Sequence, residues 1–156
     1  MEGVRVPIGI EQKTGVYARM AQDAANGEAP GSSAGGVQPK FAAWAMTASG
    51  PRHVLVKFSE PVEGPVSERW RDLLLAEHLA LETLAQAGID AARSELLSLE
   101  GQTFLEVERF DRVGVLGRRG LISLAALDAE FVGRGGPWPE ITTALAAAGH
   151  IRRKAA

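Results

Sequence analysis

Between residues 67 and 87 the apolar side chains return at every third or fourth position. Trp70, Leu73, Leu74, Leu81, Leu84 and Ala85 form one stripe of a helix that runs to Ala87. Ser67 is a plausible N-cap, and Gly88 followed by Ile89 has the pattern of a Schellman ending. A helix this long with one apolar face must be covered by something. The flanking residues supply it: Lys40 to Met46 and His53 to Phe58 read as strands before the helix, and Ser94 to Leu99 and Thr103 to Phe110 as strands after it. The order hairpin, helix, hairpin predicts an α+β fold, an antiparallel sheet plus one long helix, and it constrains the chain more than any single motif does.

The remaining segments fit around that unit. A first helix is expected from Gln12 to Ala25, with Val16, Tyr17, Met20, Ala21 and Ala24 on one face and Asn26-Gly27 as its stop. The string NGEAPGSSAGG is loop by composition, as is SEPVEGPV at 59–66, and SGP at 49–51 and Glu100-Gly101-Gln102 read as turns. After the second hairpin, SLAALDAEF from Ser123 is a short helix, GRGGPWP a linker, and Glu140 to Ala148 a final helix ending at Gly149. HIRRKAA is a basic tail, and no repeat recurs along the chain.

Composition removes several function classes. The 156 residues are 46% hydrophobic and 23% charged, enough for a single buried core. Seventeen Lys plus Arg against nineteen Asp plus Glu give a net charge of -2, which argues against direct nucleic-acid binding. Cysteine is absent, so disulfides, thiolate zinc sites and thiol catalysis are excluded. The three histidines, at 53, 78 and 150, lack metal-ligand spacing. No apolar run reaches the ~18 residues of a membrane span, and the first residues lack the apolar core of a signal peptide. The expectation is a soluble cytoplasmic protein.

Three features carry chemistry when taken together. The segment GSSAGGVQPK, from Gly31 to Lys40, combines glycines that let a backbone approach a ligand with serine hydroxyls and a lysine; triphosphate is its natural guest. By itself it reads as a surface loop, and it is no P-loop, because Val37 follows Gly36 and a strand follows the loop. Lys57 interrupts the apolar strand VLVKF; alone it reads as an edge-strand charge. Glu77 falls in the middle of the long helix's apolar stripe, where a carboxylate is costly unless paired. Either His78 faces inward in its place, or Glu77 snorkels, or it pairs with Lys57. A Gly-rich loop, a strand lysine and a helix glutamate, in that order, are the parts that hold ATP phosphates in protein kinases. The last strand then ends in Glu108-Arg109-Phe110-Asp111-Arg112, where a kinase hinge would lie; by itself that string is a solvated charge run.

SSAGGVQPKF, VLVKF, AEHLALETLAQAGI and LEVERFDR resemble the HipA-like serine/threonine kinases, toxins of type II toxin–antitoxin modules and their relatives. The likeness runs from about Gly31 to Phe131. It implies a kinase-like N-lobe with the first helices of a C-lobe: a helical segment over 1–30, the N-lobe over 31–112, and the incomplete start of a C-lobe over 113–156. It implies that Ser33, Ala34, Gly35, Gly36 and Lys40 belong to the phosphate loop, with Ser33 as the autophosphorylation site. Lys57 would contact the α- and β-phosphates and Glu77 would face Lys57. Glu108 and Phe110 would make hinge contacts to adenine, and Asp111 would reach the ribose. The cofactors implied are ATP and Mg²⁺. The partners implied are a protein substrate, among which the family counts aminoacyl-tRNA synthetases, and a helix-turn-helix antitoxin.

The departures are equally informative. A kinase needs a catalytic-loop Asp, an Asn and a second Asp for the metal. The one Asn is Asn26, ahead of the loop, and after Asp111 the one Asp is Asp128, too close to the hinge to serve. The catalytic residues and Mg²⁺ ligands are therefore expected outside this chain, which alone is expected to be inactive. The alternative reading is a non-catalytic binding or oligomerisation module, or a remnant without activity.

Overall fold

The computed structural model describes residues 6–27 and 38–152. The chain divides into two compact units, Met1–Arg118 and Arg119–Ala156.

In the first unit a short 3-10 turn, Ile10–Gln12, leads into α1, Lys13–Ala25. Four strands follow, interrupted by one long helix: β1 (Lys40–Thr47), β2 (Gly50–Phe58), α2 (Pro65–Gln86), β3 (Ser94–Leu99) and β4 (Gln102–Glu108). A two-stranded ribbon, β5 (Arg112–Val113) and β6 (Gly117–Arg118), closes the unit. The sheet is antiparallel throughout, in the order β1-β2-β4-β3. The expected α+β architecture, an antiparallel sheet with one long helix, is therefore present.

Strand alternation gives the sheet two faces. Phe41, Ala43 and Ala45 of β1, Val54, Val56 and Phe58 of β2 and Phe104 of β4 point to one side, where they meet Tyr17 and Ala21 of α1 in a single buried cluster. The Tyr17 ring lies 5.3 Å from that of Phe41, edge on, and 5.8 Å from that of Phe104. Each such aromatic pair adds about 0.5–1.5 kcal/mol beyond the area it buries. The opposite face carries Lys57 and Leu105, and α2 packs there.

Several boundaries differ from the sequence reading, each for a local reason. The first turn is Ala48-Ser49, and Gly50 and Pro51 already belong to β2. Pro51 is tolerated because β4 pairs with β2 only from Val54 onward, so no ladder bond is lost on that side. The long helix starts at Pro65, whose missing N–H costs nothing in a first turn, with Gly64 as its cap. Ser67 is thus inside the helix, buried, its hydroxyl donating to the Glu60 carbonyl at 3.1 Å. Leu74 of the expected stripe is buried, but Leu73 and Leu84 are exposed. The Schellman ending is as expected: the Ile89 N–H reaches the Leu84 carbonyl and the Gly88 N–H the Ala85 carbonyl, with Gly88 at φ +73°. The turn between β3 and β4 is two residues, Glu100 and Gly101, both at positive φ.

The second unit is built from α3 (Leu124–Phe131) and α4 (Trp138–Ala147). Ser123 caps α3, its hydroxyl accepting the Ala126 N–H at 3.1 Å. Asp128 is buried and accepts the Gly135 N–H, which ties the glycine-rich connection to α3. The final helix begins inside the string expected to be linker, because Pro139 fits its first turn. Among the described residues no helix is long and apolar enough to cross a membrane.

Candidate functional site

The Lys57 side chain leaves the sheet on the α2 side, one residue from the end of β2. Its ammonium donates to both oxygens of Glu77, at 2.8 Å and 2.6 Å. The two side chains are 21% and 36% exposed. An ion pair this open contributes only about 0–1 kcal/mol to stability. Its geometric effect is larger: it sets the position of the ammonium over the sheet.

Lys40, the first residue of β1, stands directly across from Lys57 in the ladder and so shares its face. Two residues further along the same face come Ala42 and Leu55, with Val107 on β4 beside Leu55, all half-buried. Beyond them Trp44 and His53 lie with ring centroids 4.7 Å apart. His53 Nε2 is 2.9 Å from the Val115 carbonyl, which ties the β5–β6 ribbon to this end of the sheet. One face thus runs from two lysines and a glutamate, past a small apolar floor, to an aromatic pair next to the end of β4.

The predicted residues at and beyond the end of β4 occupy varied positions. Glu108 points to the other face, where it accepts from Thr47 Oγ1 at 3.0 Å and lines a cavity of about 510 Å³ together with Ser49, Glu82, Arg93, Glu95 and Glu106. Its backbone N–H donates to the Arg93 carbonyl at 2.8 Å. Phe110 is 65% exposed. Asp111 is held by two guanidinium groups, those of Arg109 at 2.9 and 2.8 Å and Arg112 at 2.5 Å. The Arg109 hydrogen bonds, reinforced by the charges of Arg109 and Arg112, keep its carboxyl below the usual carboxylate range. Ser33, Ala34, Gly35 and Gly36 lie outside the described residues. Among the described residues no cluster of His, Asp and Glu could hold a metal ion.

The sequence reading missed a second charge pair, and this one is buried. Glu106 on β4 is 2% exposed and accepts from Lys13 Nζ at 2.7 and 2.9 Å and from Tyr17 Oη at 2.6 Å. Burial, then the hydrogen bond to Glu106, push the Tyr17 hydroxyl far above its ordinary pKa. The available signal was the spacing of Lys13 and Tyr17, one turn apart on α1, opposite an acid at an inward-facing strand position.

Comparison with known proteins places this geometry. Over 134 residues the chain is 48% identical to Toxin YjjJ of Escherichia coli (strain K12), a match covering 85% of this chain and 30% of that protein. The chain thus spans less than a third of the length of that relative. No solved structure matches. Residues 32–133, most of the chain and all of the sheet and α2, match the HipA-like C-terminal domain, and the protein belongs to that family.

Proposed function

We propose that this chain is the ATP-binding N-lobe portion of a HipA-like protein serine/threonine kinase, the toxin of a toxin–antitoxin module, which when intact transfers the ATP γ-phosphate to a protein serine. The observation that carries this reading is the Lys57–Glu77 pair on the same face as Lys40. Two lysines at paired ladder positions on one face, one of them positioned by Glu77, are the charges a phosphate chain would run past. The half-buried Ala42, Leu55 and Val107 then form the apolar floor on which a base can lie, at the end of the sheet where β4 leaves it.

In this reading the chain's own residues bind and orient. Lys57, held by Glu77, presents a fixed cation to the α- and β-phosphates, and Lys40, across from it on β1, adds to that field. Glu108, whose N–H is taken by the Arg93 carbonyl, would offer its own carbonyl to the adenine edge, and Phe110 its backbone groups. Asp111 would reach the ribose through Oδ1, which accepts from Arg109 Nε and has a second lone pair for a hydroxyl. Mg²⁺ does not fit the described residues. Phosphoryl transfer is accordingly expected only from a longer gene product, and nucleotide binding by this chain is expected to be weak.

The test is titration of the chain with a fluorescent ATP analogue, alongside Lys57→Met. Saturable binding abolished by Lys57→Met supports the reading; binding indifferent to Lys57, or none at millimolar nucleotide, overturns it. A second reading, a non-catalytic binding module, draws on the exposed leucines of α2 at 73, 75, 79 and 84. Concentration-dependent mass by light scattering, without nucleotide binding, would favour it.

A further inference from the structure

The leucines of α2 do not define which side of the helix faces the sheet. Leu74 and Leu81 lie on one row and Leu73 and Leu84 on another, each pair within about 20° around the axis and the two rows about 80° apart. Leu74 is buried and Leu73 and Leu84 are exposed. Burial of apolar area is non-directional, so a roll that exchanged one leucine row for the other would cost little by itself.

Two consecutive polar side chains break this degeneracy. Glu77 reaches Lys57 on β2. His78 Nδ1 is 2.9 Å from Ser94 Oγ on β3. In the sheet order β2-β4-β3 these strands flank β4. Residues 77 and 78 are about 100° apart on the helix, so the two contacts straddle β4, and Leu74, between them around the axis, points down toward it. Contacts on one side alone would leave the helix free to pivot about them; contacts on opposite sides fix the rotation, and Arg71, two turns before His78, adds an exposed hold on the β3 side by donating to the Gly101 carbonyl at 2.8 Å.

We infer that the His78–Ser94 hydrogen bond is the second half of a rotational lock on α2, and that His78 and Ser94 are positioning residues that keep Glu77 against Lys57. The consequence for nucleotide affinity rests on the function proposed above; the lock itself does not.

The absence of cysteine allows a direct test. Cysteine is introduced as Leu74→Cys on the buried row of α2 or, separately, as Val56→Cys on β2, buried on the face that α1 covers, and thiol labelling rates are measured in the full chain. Ser94→Ala and His78→Leu remove the bond. His78→Asn and Ser94→Thr retain it, since the Asn amide can occupy the place of Nδ1. Loss of the bond is expected to speed labelling of Leu74→Cys about fivefold, the scale of one hydrogen bond, with Val56→Cys unchanged and His78→Asn restoring the slow rate. Equal labelling of Leu74→Cys in all backgrounds overturns the lock, as does a parallel rise at Val56→Cys, which would report general loosening. Binding of the fluorescent ATP analogue is expected to weaken by a similar factor in the same variants. A labelling change with no nucleotide binding in any background would leave the lock standing and remove the nucleotide reading.

Discussion

Lys57 and Leu105 face one another across the β2–β4 ladder, and the next residue on each strand, Val56 and Glu106, faces the other way. The same short stretch of sheet is therefore gripped by charge on both sides, by Glu77 from α2 and by Lys13 and Tyr17 from α1. The two grips differ in exposure, so they respond differently to mutation.

Glu77→Gln is expected to change stability by less than about 1 kcal/mol, the scale of a half-exposed ion pair. Its effect on nucleotide affinity should be much larger, because Lys57 loses the partner that positions it. Urea denaturation and nucleotide titration of the same variant separate the two; equal losses in both would mean that the pair is structural.

At the buried grip the order is reversed. Lys13→Met leaves the Glu106 carboxylate uncompensated at 2% exposure, and the expected loss is about 3–5 kcal/mol. The double variant Lys13→Met, Glu106→Leu removes both charges and is expected to recover much of it. A double-mutant cycle by chemical denaturation checks the sign of the coupling.

Tyr17 is the one tyrosine of the chain, so the tyrosinate absorption band reports it alone. Its folded pKa lies above its ordinary value of 10.0. The stabilisation from the protonated hydroxyl is fully present below about pH 10, where the unfolded tyrosine is also protonated, and falls as pH rises above that. Spectrophotometric titration should show no ionisation until the fold is lost, and then a single step coincident with loss of circular dichroism.

Asp111 behaves in the opposite sense. Its folded pKa is lowered by Arg109 and Arg112, so its contribution is present above the unfolded value, near pH 4, and is lost as pH falls below it. Asp111→Asn should therefore flatten the acid limb of the stability profile measured by thermal melting, and leave the neutral-to-alkaline part parallel to the wild type.

Glu100 holds φ +49° in the two-residue turn between β3 and β4. A left-handed conformation costs a non-glycine residue roughly 1–2 kcal/mol, less for Asn. Glu100→Asn gives the Asn-Gly pair that such turns prefer, and a gain of about 0.5–1 kcal/mol in denaturant stability is expected. A loss would show that the Glu100 side chain has a compensating contact.

What could be read from the residues follows from how local the information was. The strands and α2 were legible because period 2 and period 3.6 are written within each segment, and Ser94–Leu99 coincides with β3 as expected. The Lys57–Glu77 contact was legible because an acid inside an apolar stripe asks for a cation, and one strand lysine was within reach. Glu106 escaped because its burial is decided by α1, about ninety positions earlier, whose partner hydrogen bonds span separations of 93 and 89 residues. The β5–β6 ribbon escaped because two-residue strands have no period. The exposure of Leu73 and Leu84 could not be foreseen either, since α2 carries more apolar surface than the sheet covers.

The long reach of that buried grip also orders events at the ribosome. At synthesis rates of about 5–20 residues per second, α1 emerges several seconds before Glu106 exists to receive Lys13. During that interval the N-terminal helix has no carboxylate to satisfy its lysine and no β4 to cover its tyrosine. Until the last strand of the sheet arrives, α1 is a nascent helix awaiting its anchor.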